Sequence, residues 1–124
     1  MSAPAAATAR SIGIAELADR LGDRDRPQVW NVLTDEFFDG RLLPGSRRVP
    51  LDAVVRSARA AALPADAEIV VYCSGLGCPQ GGLAAAKLGA AGYTAVAVFD
   101  GGLAAWGAAG LPFIDGAHAL ALAG

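Results

Sequence analysis

Apolar positions follow two periods along this chain. Ile14, Leu17, Ala18 and Leu21 recur at i, i+3, i+4 and i+7, the spacing of one helix face, and Gly22 marks the stop. After the polar turn Asp23-Arg-Asp-Arg-Pro27, residues Gln28 to Leu33 read as a buried strand. Thr34 is placed to cap a short helix through Phe38, with Asp35 and Glu36 in its first turn. Leu43-Pro-Gly-Ser46 is a turn, and Arg47 to Val49 a short strand stopped by Pro50. Leu51, Val54, Val55 and Ala58 return to helical spacing. Glu68 to Tyr72 is the central strand. Leu83, Ala84, Leu88 and Ala91 then suit a helix packed on a sheet and ended by Gly92. Thr94 to Phe99 is a further strand, Gly101 to Trp106 opens a last helix, and Gly110 and Pro112 close the pattern.

Strands that alternate with helices predict an α/β fold: a parallel sheet with helices on both faces. A chain of 124 residues holds one domain with a real core and not two. The domain is expected over residues 10–114, with a flexible lead at 1–9 and a tail at 115–124. Ligands of such sheets sit beyond the carboxyl ends of the strands. Leu33, Cys73 and Asp100 each lie at such an end.

Composition narrows the function. The formal net charge is −2, which argues against nucleic acid as a partner, since phosphate binding calls for a basic surplus. No run of about 20 apolar residues predicts a membrane span. The first ten residues lack the charged and bulky apolar regions of a signal peptide. The two cysteines, Cys73 and Cys78, are five positions apart in one loop and make no disulfide framework. A reducing, cytoplasmic setting is the expectation.

The chemistry concentrates in Ile69-Val-Val-Tyr-Cys-Ser-Gly-Leu-Gly-Cys-Pro-Gln80. An apolar strand runs into Cys73, a glycine-rich loop follows, and a helix begins near Gln80. That arrangement faces a thiol toward a helix N-terminus, where free N–H groups favour negative charge and a lowered thiol pKa is expected. Ser74, Gly75, Leu76, Gly77 and Cys78 each supply an N–H that an anion nest could use, while Pro79 cannot and suits the first helical position. Glycines at 75 and 77 permit positive φ and close backbone approach. From Ile69 to Phe99 the only charged residue is Lys87. Affinity for an anion must then come from the backbone or from a distant cation, with Arg41, Arg47 and Arg48 as candidates.

The whole pattern resembles a rhodanese-like (sulfurtransferase) domain over roughly Ser11 to Phe113. Four landmarks carry the resemblance in chain order: Val29-Trp-Asn-Val-Leu33; Leu43-Pro-Gly-Ser46 with Val49-Pro50; Val71-Tyr-Cys73 with its glycine loop; and Gly101-Gly-Leu-Ala-Ala-Trp106 with Gly110-Leu-Pro112. Asn31 stands where the family often has Asp, Leu33 where Arg is common, and Leu42 where His is frequent. Cys78 stands where the common loop carries Arg. The loop is most similar to a two-cysteine subgroup with Cys-x-Gly-x-x-Cys-Pro.

The resemblance implies a single-domain sulfurtransferase. Cys73 would take the outer sulfur of thiosulfate or a persulfide donor, carry it as a persulfide, and pass it to a thiol or other nucleophile. The loop residues Ser74 to Cys78, with Arg47 and Arg48, would bind substrate. Partners would be a small sulfur donor and a thiol acceptor, protein thiols included. No metal and no organic cofactor is needed. The uncharged loop suggests weak use of thiosulfate, a dianion, and better use of persulfides. Two other classes stay open: a non-catalytic binding or sulfur-carrying module, and a Cys73/Cys78 redox switch. Cys78 itself has three readings: a resolving thiol, a guard against irreversible oxidation, or a small loop-closing residue.

Other residues read as structural. His118 lies in the expected tail, so there is no Cys–His pair and no credible metal set. Trp30 and Trp106 read as core, Asp100 as a cap for the last helix, and Gly101-Gly102 as a point of close packing beside the loop.

Overall fold

The computed structural model describes residues 9–115. The expected lead at 1–9 and tail at 115–124, His118 included, fall almost wholly outside them. Strand β1 (Arg10–Ser11) leads to helix α1 (Ile14–Leu21) and strand β2 (Gln28–Asn31). Short strands β3 (Arg41–Leu42) and β4 (Arg47–Arg48) precede a 3-10 turn (Leu51–Ala53) and helix α2 (Val54–Ala60). Strand β5 (Glu68–Tyr72), helix α3 (Gln80–Ala90), strand β6 (Ala95–Phe99), helix α4 (Gly102–Ala108) and strand β7 (Ile114–Asp115) complete the order.

Five strands form one parallel sheet in the order β1-β6-β5-β2-β4. Period-2 alternation sends successive side chains of β5 to opposite faces. Val70 and Tyr72 join Leu17, Leu103 and Trp106 on the face covered by α1 and α4. Ile69 and Val71 join Val54, Ala58, Ala84 and Leu88 on the face covered by α2 and α3. Both faces are thereby dry, as the unbroken apolar run of β5 requires. Trp30 and Trp106 are both core residues.

The sheet order also fixes where a site can form. The chain leaves β2 toward β4 on one side of the sheet, and leaves β5 toward β6 on the other. Diverging connections open a crevice at the carboxyl ends of β2 and β5, and Cys73 directly follows β5 there.

Several local expectations change. The segment after Thr34 is a single turn, closed by the N–H groups of Phe37 and Phe38 on the Thr34 carbonyl, and not a helix. A second small sheet pairs β3 with β7 antiparallel; two-residue strands carry too little pattern to read from sequence. Helix α3 buries Ala84 and Leu88 as expected, with Gly81 and Ala85 beside them, whereas Leu83 is 51% exposed. A methyl added at Gly81 would lie 3.3 Å from Val98 Cγ1 and 3.7 Å from Cys73 Sγ. Small residues are what let this helix start so close to the sheet.

Candidate active site

Cys73 is 5% exposed at the base of a loop whose tip, Leu76, is 85% exposed. The loop is closed on itself by the Cys78 N–H, which donates to the Gly75 carbonyl at 3.1 Å. That N–H is thereby committed, and the expected nest loses one of its five donors. Gly77 turns the chain at φ +90°, a conformation that glycine adopts without strain. Pro79 sits one position before α3 rather than in its first turn. Its carbonyl accepts the N–H of Leu83 at 3.0 Å.

Helix α4 holds the loop from the other side. The N–H groups of Leu103 and Ala104, unpaired within their own helix, donate to the carbonyls of Cys73 (3.1 Å) and Ser74 (2.9 Å). This approach depends on Gly102, which has φ +55°. A Cβ at 102 would lie 2.4 Å from the Cys73 carbonyl oxygen and 2.8 Å from the Gly75 nitrogen. Gly101-Gly102 is thus a point of close packing, as expected. Asp100 caps nothing: α4 has no side-chain cap, and Asp100 instead accepts a hydrogen bond from the Ser11 hydroxyl, tying β1 to the end of β6.

The polar floor is equally specific. The Tyr72 hydroxyl, next in the chain to Cys73, accepts the Leu43 N–H at 3.0 Å and lies 2.8 Å from Ser46 Oγ. The Ser46 hydroxyl itself donates to the Leu43 carbonyl at 2.7 Å. Asn31 accepts the Leu33 N–H at 3.0 Å and donates to the Arg41 carbonyl at 3.3 Å. The amide keeps the structural work at this position without the negative charge that an Asp would bring beside the site. Gln80 accepts the Thr34 N–H at 2.9 Å and donates to the Thr34 hydroxyl at 3.2 Å. It clamps the turn after β2 to the first residue of α3. Sequence reading misses Gln80 and Gly81; the only trace of the second is a Gly-Gly pair at a helix start.

The electrostatics correct a central expectation. Burial pushes the Cys73 thiol up to about 11, and the adjoining Cys78 thiol adds to the rise; the N–H groups of Gly81 and Gly75 pull the other way and lose. Burial thus outweighs the loop N–H groups at this thiol. A helix N-terminus offers only about 0.3–2 kcal/mol in return. Cys78 moves in the opposite direction. Burial raises it, but hydrogen bonds from the Cys73 thiol, the Gln80 N–H and the Ser74 N–H and hydroxyl together bring it below the ordinary thiol range. Both thiols are free, with no disulfide between them, and Cys73 Sγ lies 3.5 Å from the Cys78 carbonyl oxygen.

The candidate arginines are not gathered at the thiol. Arg48 stands at the register level of Asn31 and Tyr72, at the carboxyl edge but two strands from Cys73. Its guanidinium pairs with Asp35 at 2.9 Å and stacks on Phe38 at 4.3 Å. Nη1 is buried without a hydrogen-bond partner among the described residues, and burial lowers the group's pKa. Arg47 is exposed. Arg41 pairs with Asp39 at 2.8 Å and lies over Phe113. A shallow, open and uncharged depression lies beside the loop, lined by Ser74, Gly75, Leu76, Gly101, Ala104, Ala105 and Ala108. A cavity, about 350 Å³ around Arg20, Glu68 and Tyr93, includes the first residues of β5 and β6 and so lies at the opposite end of the sheet. No helix among the described residues is long and apolar enough to cross a membrane.

A parallel sheet covered on both faces, with a cysteine loop at the end of its central strand, defines a known class. The chain belongs to the rhodanese-like domain family, whose model matches residues 14–109. No curated protein matches it. Among solved structures it is similar to the Alr3790 protein from Anabaena sp., with 27% identity, a TM-score of 0.72, and 84% of this chain and 80% of that one covered. The BH2092 protein from Bacillus halodurans superposes with a TM-score of 0.74 at 22% identity, over 87% of this chain and 78% of that one. A thiosulfate sulfurtransferase from Pseudomonas aeruginosa gives 0.73 at 21% identity, over 92% of this chain but 22% of that one. At those identities the last two speak for the fold alone.

Proposed function

We propose that this rhodanese-like domain is a sulfurtransferase that carries sulfane sulfur as a persulfide on Cys73. The observation that carries the reading is the seat of Cys73: it directly follows the central strand, its sulfur lies beside Gly81 at the start of α3, and its carbonyl is fixed by α4. Cys73 gives up its proton to solvent, and its thiolate attacks the outer sulfur of the donor. With an alkyl persulfide the S–S bond breaks to release a thiolate; with thiosulfate it releases sulfite. A thiol acceptor then attacks the outer sulfur of the enzyme persulfide and returns Cys73 to the start. Neither step consumes an oxidant.

The uncharged depression beside the loop supports an alkyl or protein persulfide as donor over thiosulfate. Arg48, whose buried Nη1 has no hydrogen-bond partner among the described residues, and Arg47 are assigned to the far, anionic end of a donor long enough to reach them, and the loop N–H groups of Ser74 to Gly77 to its sulfur, that of Cys78 being held by Gly75. Leu76, Leu83 and Phe37 are exposed on the loop, on the first turn of α3 and on the turn that Gln80 clamps. Their exposure supports protein thiols among the acceptors. The burial of Cys73 favours one second reading, a binding or sulfur-carrying module with negligible turnover.

The test is kcat/KM for thiosulfate against a small alkyl persulfide, with a thiol acceptor. The reading expects the persulfide to be preferred and Cys73→Ser to be inactive. Preference for thiosulfate counts against the donor assignment. Absence of turnover with both donors supports the binding module.

A further inference from the structure

Cys78 is the one ionisable side chain that shares the loop with Cys73, and the structure fixes it against that residue. Its N–H is held by Gly75 at 3.1 Å, and its carbonyl oxygen lies 3.5 Å from Cys73 Sγ. Both side chains pack on the same core cluster, and the two thiols lie close enough for each to shift the other's ionisation. Cys73 is buried and Cys78 half-buried.

We propose that Cys78 resolves the Cys73 persulfide by attacking its inner sulfur, leaving a Cys73–Cys78 disulfide and expelling the carried sulfur as hydrosulfide. This deepens the sulfurtransferase reading and rests on it. The step balances: the Cys78 S–H bond and the persulfide S–S bond break, a new S–S bond forms, and the Cys78 proton leaves on the hydrosulfide. The sulfane sulfur is reduced by two electrons as the two cysteines are oxidised to a disulfide. An external dithiol then reopens the loop and becomes a disulfide itself.

Two features favour the inner sulfur. The inner sulfur is Cys73 Sγ itself, which lies 3.5 Å from the Cys78 carbonyl oxygen. Attack by Cys78 on the outer sulfur would only move the persulfide from one cysteine of the loop to the other and release nothing. Exchange is faster toward the better leaving group, and hydrosulfide is the conjugate base of a stronger acid than this buried thiol. A six-residue loop with glycine at two positions has the backbone freedom to adjust to disulfide geometry.

The test loads the reduced protein anaerobically with cysteine persulfide, removes the donor, and follows intact mass and released sulfide. Wild type is expected to pass from a gain of one sulfur to a loss of two hydrogens, releasing about one sulfide per chain. Cys78→Ser and Cys78→Ala are expected to gain the sulfur, keep it, and release none until a thiol is added. A dithiol should restore wild type for a second round. Wild type that keeps its added sulfur as long as the Cys78 variants overturns the resolving role and leaves the persulfide reading standing. Failure of all three proteins to gain sulfur overturns both.

Discussion

Replacing Gly102 with alanine should cripple the loop and the fold together. The new Cβ would sit 2.4 Å from the Cys73 carbonyl oxygen, 2.8 Å from the Gly75 nitrogen and 2.9 Å from the Ser74 carbonyl carbon. All three are backbone atoms, so no side chain can swing aside. An alanine held at φ +55° costs roughly 1–2 kcal/mol. Forcing a methyl into a packed contact costs about 1–3 kcal/mol more. The sum, roughly 2–5 kcal/mol, is a large share of the ~5–15 kcal/mol that holds a domain folded. At a typical urea slope the midpoint falls by roughly 1–3 M. Relief must move the loop away from α4 and stretch the bonds from Leu103 and Ala104 to the Cys73 and Ser74 carbonyls. A misplacement of about 1 Å can slow a reaction about a hundredfold, so persulfide formation on Cys73 should fall by at least tenfold in the fraction that stays folded. Urea unfolding and the rate of sulfur loading read the two effects. A variant with the wild-type midpoint and loading rate would refute the claim that the α4 approach sets the loop.

Gly82→Ala is the matched opposite: it lies exposed within α3, nothing stands within 4 Å of its added Cβ, and urea unfolding should show a gain of about 0.5–1 kcal/mol. Tyr72→Phe strands the buried Leu43 N–H and should cost about 1–3 kcal/mol by the same measurement; an unchanged midpoint would mean that the hydroxyl holds nothing. An uncharged alkylating reagent at neutral pH should modify Cys78 before Cys73, because Cys78 is shifted down and Cys73 up to about 11. Since the thiolate reacts, labelling of Cys73 should keep climbing as pH rises through the alkaline range; peptide mass spectrometry that finds Cys73 labelled first contradicts that order.

The sheet and its covering helices are legible in the sequence because each carries several turns or strand residues of one period. Glu68–Tyr72 matches its expected bounds, and α1 begins and ends where the i, i+3, i+4 pattern does. The glycine pair at 101–102 could be read as a packing device because such pairs have few other uses. What stayed hidden depends on distance. On α3, Ala84 and Leu88 are buried as their spacing predicts, but Leu83 outweighs Gly81 in apolarity while proximity to Cys73 requires the glycine. The thiol's ionisation was misread because the helix N-terminus is visible in sequence and the depth of burial is not. Gln80 and Thr34 are 46 residues apart, and no local period joins them.

The central claim is that Cys73 is the sulfur carrier, and site-resolved mass spectrometry of Cys78→Ser and Cys73→Ser after exposure to a small alkyl persulfide tests it most directly. The account predicts one added sulfur on the Cys73 peptide of Cys78→Ser, removable by a thiol, and none on Cys73→Ser. Sulfur carried by Cys78 in Cys73→Ser as readily as by Cys73 in Cys78→Ser, or carried by neither, would contradict it.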